Sequence, residues 1–270
     1  MPLLFTSLFA SGELGTSTAP IEPAFIWTDA LLYRFSASAA VFADTEGMIP
    51  AMDMDPVARW GNLGSAEDAL QPLLANRPLY RIGGLNGRPY LSCDHALAQC
   101  FADLAFAQPS GTSAIAPFTV FVVTDAIADL DQFPALLGAP ATNGGKMAFY
   151  LRPVVNDQIH WIKSQVRVGN VANPQLLMGA VGRNAAGATS SPHTRLWLRQ
   201  NRQDICAAAS QTTSLTSTTI ASTQFLRCTG ISNNGYFNGR IFEFLLYGGT
   251  LDDATTFAIE DWLAARYAIS

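Results

Sequence analysis

The run GRIFEFLLYGGTLDDATTFAIEDWLAARYAI, residues 239–269, decides the fold. Its first nine residues, Gly239–Tyr247, are apolar or aromatic almost throughout, as in an interior strand covered on both faces. Strict alternation would point Ile241, Glu243 and Leu245 one way and Phe242, Phe244 and Leu246 the other. The remainder is the one clearly helical stretch of the chain. Asp252 or Asp253 can cap it, Ala254, Phe257, Ala258, Trp262 and Ala265 recur at helical spacing, and Arg266 lies in the last turn.

Working back from this strand and helix, short strand-like runs separated by turn residues fill the middle of the chain. Residues 118–124 (FTVFVVT) are β-branched and aromatic throughout, consistent with a strand buried on both faces. Residues 146–152, 158–168, 176–181 and 195–199 follow at strand-like spacing, bounded by Asn143-Gly144-Gly145, Asn156-Asp157, Gly169-Asn170 and Asn173-Pro174. The Ser/Thr run at 210–223, interrupted by Leu215 and Ile220, reads as the exposed tip of a long hairpin whose arms are residues 205–208 and 225–228. Asn233-Asn234-Gly235 is a further turn. The stretch 48–88, rich in Pro, Gly and Asn, reads as loops linking short strands. No composition break marks a linker, so residues 25–270 are expected to form one domain preceded by an apolar arm at 1–24. The pattern predicts an all-β, two-sheet antiparallel sandwich closed by a C-terminal α-helix.

Composition narrows the function. Of 270 residues, 49% are hydrophobic and 14% charged, which provides a sizeable core and argues against disorder. Sixteen Lys and Arg against 21 Asp and Glu give a net charge of −5, which excludes nucleic-acid binding by bulk electrostatics. The longest apolar run is far short of the roughly 20 residues of a bilayer span, so no membrane insertion is expected. The opening MPLLFTSLFASG lacks the basic stretch and small-residue cleavage site of an export signal, and reads as an arm that packs on the body or on a neighbouring subunit.

Three segments, in order, resemble the concanavalin A-like (LamG-like) jelly-roll domains of bacteriophage structural proteins and bacterial surface proteins. They are ARWGNLGSAEDALQP at 58–72, RPLYRIGGLNGRPYLSCD at 77–94, and the closing run at 239–269. Two departures stand out: Cys93 takes the place of an aromatic residue before Asp94, and Ala268 replaces a terminal glycine. The resemblance implies a jelly roll. It also implies a virion structural protein, made in a host cytoplasm and displayed on the particle surface as a capsid decoration, head fibre or tail component. Its partners would be major capsid or tail proteins, and it would form a homo-oligomer, with a trimer expected from lattice symmetry. The alternative is a module recognising host surface glycans.

Candidate sites are few. The related glycosidases need two carboxylates flanking the scissile bond, and none of the six glutamates (13, 22, 46, 67, 243, 260) pairs with another at strand spacing, so no catalytic residue is assigned and no enzymatic activity is expected. Glu243 reads as structural, holding loop backbone. Asp53-Met54-Asp55-Pro56 has the D-x-D spacing of a calcium loop without further carboxylates nearby, and reads as an Asx-Pro turn. His95, His160 and His193 are scattered, and the cysteines fit no zinc pattern, so neither metal nor cofactor is expected. Beside Asp94, His95 reads as a loop hydrogen-bonder. Glycan candidates are the aromatics Trp161, Trp197, Tyr150 and Tyr236, each weighed against core packing. For the cysteines, pairing of Cys206 with Cys228 across the expected hairpin, a bridge from Cys93 to Cys100, and free buried thiols all stay open.

Overall fold

The two most apolar runs of the sequence lie side by side as β7 (Phe118–Ala126) and β19 (Gly239–Tyr247), the centre of a nine-stranded antiparallel sheet. The structure is a computed structural model that describes residues 24–105, 118–126, 135–138, 149–152, 158–161, 166–169, 174–181, 194–205, 212–213, 224–228 and 235–270. Beyond β7 the sheet continues through β12 (Gln175–Val181), β13 (Thr194–Gln200) and β14 (Gln203–Asp204), with β15 (Thr212–Thr213) on the first residues of β13. The other edge of β19 is shared end to end. β6 (Tyr90–Cys93), itself paired with β5 (Leu79–Arg81), takes its first residues, and β1 (Leu31–Ser36) takes the rest.

A second sheet is formed by β11 (Val166–Gly169), β10 (Gln158–Trp161), β9 (Phe149–Arg152), β8 (Ala135–Gly138) and β16 (Gln224–Phe225), in that order. The core divides by strand pleat. Phe118, Val120 and Val122 of β7 join Leu136, Leu137 and Phe225 of the second sheet in one apolar cluster. Phe121 and Val123 join Ile259, Trp262 and Leu263 of α1 (Asp253–Tyr267) in another. The larger sheet is thus sandwiched between the smaller one and the C-terminal helix, which is why its central strands are apolar on both faces.

The short strands β2 (Val41–Phe42), β3 (Arg59–Trp60) and β4 (Ala69–Leu70) form a three-stranded cap, and β17 (Arg227–Cys228) pairs with β18 (Gly235–Tyr236). Trp60 anchors the cap: its ring lies 5.3 Å from Phe35 and its indole N–H donates to the Ser36 carbonyl at 2.9 Å. Asn62 ties the same loop to β1, its amide donating to the Leu32 and Ala66 carbonyls and its Oδ1 accepting from the Arg34 N–H. In the next segment Asn86 and Arg88 both donate to the Arg266 carbonyl, closing the last turn of α1. Gly84 sits there because a Cβ would stand 2.6 Å from Phe242 and Tyr90. The segments that carry the family resemblance are therefore fasteners of the sandwich.

Three local expectations are corrected. Residues 158–168 form no single strand, since β10 and β11 pair with each other from Gln158↔Gly169 to Trp161↔Val166. Of the expected 205–228 hairpin, residues 206–208 of the first arm lie outside the described residues, the second arm pairs elsewhere, β16 with β8 and β17 with β18, and β15, within the expected tip, pairs with β13. The alternation in β19 is broken by a bulge between Ile241 and Glu243. Ile241 faces the sheet–sheet core while Leu245 joins the helix side, and Phe242 is brought round with it. The proposed arm at 1–24 lies outside the described residues up to position 23.

At its start α1 is capped by Asp252, whose carboxylate accepts from the Thr255 N–H at 2.7 Å. It ends on Ala268 in the left-handed conformation, φ +53°. That conformation is one glycine takes without steric cost, and here it is held by alanine.

Candidate functional site

A two-residue turn, Asn201-Arg202, joins β13 to β14 with φ of +46° and +66°. Both central residues at positive φ make the connection of the type that matches strand twist. Asn accepts this conformation readily, but Arg in place of the usual glycine costs about 1 kcal/mol. Asn201 fixes the turn by exchanging hydrogen bonds with Leu176, its backbone N–H donating to the carbonyl and its Oδ1 accepting from the amide, each at 2.8 Å. The Arg202 carbonyl accepts from Arg199 Nη2. Held this way, Arg202 reaches α1, its Nη1 3.3 Å from Asp261 Oδ1.

Facing the turn, α1 presents Phe257, Glu260 and Asp261, three and four residues apart and so on one helix face. Together with Arg199, Asn201, Arg202, Gln203 and Ser270 they line an open cleft of about 430 Å³. Its floor is an ion-pair network. Arg199 Nε lies 3.0 and 2.9 Å from the two Glu260 oxygens, and its Nη1 lies 2.6 Å from Asp204. Burial pushes the Glu260 carboxyl up to about 7, with Arg199 opposing the shift. Its wall is Phe257, which remains 40% exposed, although Ile259, Trp262, Leu263 and Tyr267 of the same helix are buried.

Trp197 is only 7% exposed and lies beneath this wall, packed against Phe257 edge to face at 6.1 Å, its indole N–H donating to Asp204 at 2.7 Å. It supports the cleft from below, and the exposed ring there is that of Phe257. Tyr236, on β18, is half-buried against the sheet–sheet core. Trp161 and Tyr150 stand on paired strands, opposite Phe149 and His160 respectively, and their side chains lie outside the described residues. Trp197 and Tyr236, the two candidates whose side chains are described, pack in different core clusters.

The remaining sequence candidates resolve as follows. Asp53 accepts from the Ile82 N–H and pairs with Arg81 at 3.3 Å, and Asp55 accepts from the Met52 N–H in a local turn. Among the described residues no group of three His, Cys, Asp or Glu is placed to hold a metal ion. Asp94 caps the turn that carries His95, whose Nδ1 is 3.9 Å from that carboxylate. Cys93 and Cys100 are both buried free thiols, so the bridge between them is not formed; burial raises both thiols. Cys206 and the side chain of Cys228 lie outside the described residues.

Glu243 is structural, but its partners are side chains, where loop backbone was expected. The β19 bulge turns it toward α1. There its carboxylate meets Arg34 Nε at 3.1 Å, Ser36 Oγ at 2.9 Å, the Tyr267 hydroxyl at 2.5 Å and Arg266 Nε at 3.5 Å. Arg34 is itself covered by the rings of Trp27 and Trp262. With 0% exposure, Glu243 has no access to a substrate.

Sequence reasoning missed Phe257, Glu260, Asp261 and the Asn201-Arg202 turn. The available signal was RQNRQD at 199–204, a dense polar run between strands of a chain with few charges. Phe257 fitted the helix's apolar period, and periodicity alone could not place its ring at the margin of the buried stripe.

No family model and no curated protein matches the sequence. Among solved structures, the chain is similar to a GH54 α-L-arabinofuranosidase soaked with a cyclic sulfate inhibitor, at 12% identity and a TM-score of 0.57, over 88% of this chain and 59% of that one. It is similar to an arabinofuranosidase complexed with arabinofuranosyl-alpha-1,2-xylobiose at 13% identity and a TM-score of 0.52, again over 88% and 59%. A Trypanosoma rangeli sialidase in complex with sialic acid aligns at 12% identity and a TM-score of 0.46, over 88% of this chain and 33% of its own. The chain thus spans about three fifths of the arabinofuranosidase chains and a third of the sialidase chain.

The neighbours correct the expectation of a protein without enzymatic activity. Two of the chains that share the fold at TM-scores above 0.5 are described as arabinofuranosidases, so the lack of a strand-borne glutamate pair does not exclude an enzyme. At these identities the likeness is one of fold: the chain is an all-β, two-sheet antiparallel sandwich with a C-terminal helix, an architecture that glycoside hydrolases share.

Proposed function

We propose that this chain is a concanavalin A-like module that recognises a glycan in the cleft between α1 and the β13–β14 turn. The observation that carries the proposal is the Phe257 ring, 40% exposed with the Arg199 guanidinium 4.7 Å from its centroid, set among Arg202, Gln203 and Asp261 over an ion-pair floor. A sugar ring has an apolar face that an aromatic side chain covers, and a rim of hydroxyls that planar polar groups pair with. The network beneath holds these groups before any ligand arrives, which lowers the ordering cost of binding. The resemblance of residues 58–94 and 239–269 to bacteriophage domains supports a virion surface as the setting, with the glycan supplied by the host.

A glycan array probed with the intact chain and with Phe257→Ala tests the proposal. Saturable binding, lost in the variant while its urea midpoint stays at the wild-type value, is expected. Silence across the array, or binding indifferent to Phe257→Ala, would refute it.

A further inference from the structure

Eight large apolar side chains are more than half exposed among the described residues, and seven of them belong to residues 48–82. Met48, Ile49, Met52 and Met54 come from the loop between β2 and β3, Leu73 and Leu74 from the turn after β4, and Ile82 from the residue after β5. Hydrogen bonds knit these loops into one surface. The Met54 N–H donates to the Tyr80 carbonyl at 2.8 Å and the Ile82 N–H to Asp53 Oδ1 at 3.1 Å. The Ala43 N–H donates to the Ile49 carbonyl, and Arg77 donates to the carbonyls of Ala43 and Gln71, which holds the 73–74 turn against the same loop. Single exposed hydrophobics need no explanation, whereas a contiguous group of them marks a surface that something covers. The three methionines add flexible, polarisable side chains that adapt to an apolar partner.

The surface suits an uncharged occupant. Asp44 and Asp55 accept from backbone N–H groups of their own loop, and Asp53 faces Arg81, so these carboxylates are engaged within the surface. A second copy docked face to face would set segment 44–55, with four carboxylates and no Lys or Arg, against its twin. Residues 1–12, MPLLFTSLFASG, offer five Leu and Phe side chains and no charged one. The chain enters the sandwich beside the cap: Ile26 is buried in the helix-side core, and Trp27 covers Arg34, whose N–H donates to Asn62 of the β3–β4 loop. Residues 10–23, rich in Gly, Ser, Thr and Pro, span about 50 Å when extended, roughly the diameter of a domain of this length. A tether of that reach keeps the apolar segment at high effective concentration around its own domain.

We infer that residues 3–9 dock on the Met48–Ile82 surface of their own domain. None of these residues lines the α1 cleft, so the inference stands apart from saccharide binding. Limited oxidation of the intact chain by hydrogen peroxide, resolved by tandem mass spectrometry, tests it at Met48, Met52 and Met54, with the fully buried Met178 as the unreactive reference. Phe5→Asp/Leu8→Asp removes the apolar character of the segment and Ile82→Asp that of the surface, where an exposed substitution leaves the core intact.

A segment seated for roughly nine-tenths of the time slows oxidation about tenfold. The three methionines should therefore react about tenfold faster in either variant than in wild type, at every protein concentration, with Met178 unreactive throughout. Equal rates in wild type and Phe5→Asp/Leu8→Asp would overturn the docking. Faster oxidation in that variant alone, with Ile82→Asp matching wild type, would overturn this surface as the receptor. Protection that appears only as wild-type concentration rises would assign the surface to a second copy and overturn docking within one chain.

Discussion

Replacing Glu243 by glutamine keeps the shape of the side chain and removes the charge that joins β1, β19 and α1. In the native protein its carboxylate accepts hydrogen bonds from Arg34, Ser36 and Tyr267 and lies 3.5 Å from Arg266, all without exposure of its own. The amide leaves two buried guanidinium groups facing a neutral partner. Breaking a buried ion pair by changing one member costs about 3–5 kcal/mol. Arg34 keeps its contacts with the Trp27 and Trp262 rings, at 4.6 and 5.2 Å, which retain part of its stabilisation and set the expectation near the lower figure.

For a chain of this size a loss of about 3 kcal/mol lowers the melting temperature by roughly 6–12 °C. It stays below the roughly 5–15 kcal/mol of a typical domain, so the variant should fold. Thermal melts followed by circular dichroism, with urea midpoints at unchanged slope, measure the shift. Glu243 does not line the cleft, so saccharide affinity per folded molecule should be unaltered. A midpoint shifted by less than about 2 °C would refute the buried clamp. Unaltered stability together with lost binding would show that Glu243 serves the site directly.

Other expectations follow from the same structure. The Glu260 carboxyl is raised to about 7, so the folded protein holds a proton that the unfolded chain releases at the ordinary carboxylate value. This stabilisation is complete below that ordinary value and is lost as pH rises through about 7; wild type should lose on the order of 3 kcal/mol more than Glu260→Gln across this window, read from paired urea midpoints, and parallel pH profiles would contradict it. Ala268→Gly should stabilise the protein by about 1 kcal/mol, because glycine takes the left-handed C-cap without steric cost, and a destabilised variant would count against that geometry. Cys93 and Cys100 should resist alkylation in the native protein and react in urea, as mapped by peptide mass spectrometry; rapid native labelling would contradict their burial.

The fold was legible where burial dictated composition. Residues 118–124 and 239–247 had to be apolar on both pleats because a sheet covers one face and a helix the other, and that double constraint shows in the sequence itself. The polar segments were less legible. In β19 the bulge that brings Glu243 to Arg34 is set by pairing with β7, and alternation alone cannot reveal it. The Ser/Thr-rich stretch carries little apolar pattern to choose a partner, so the pairing of β15 with β13 could not be read from it. The cleft was the least legible part. Its groups come from residues 199–204 and 257–261, brought together only when α1 packs across β13, and Trp197 drew attention to a buried ring one contact away from the exposed one.

Backbone hydrogen exchange, measured with and without a saccharide selected from the array, tests recognition at the α1 cleft most directly. Occupancy should slow exchange at residues 199–204 and along 253–261, where the lining side chains are rooted, and leave the smaller sheet unchanged. Protection confined to the strands at 149–152 and 158–161, with none at the turn or the helix, would place the ligand elsewhere and contradict the proposal.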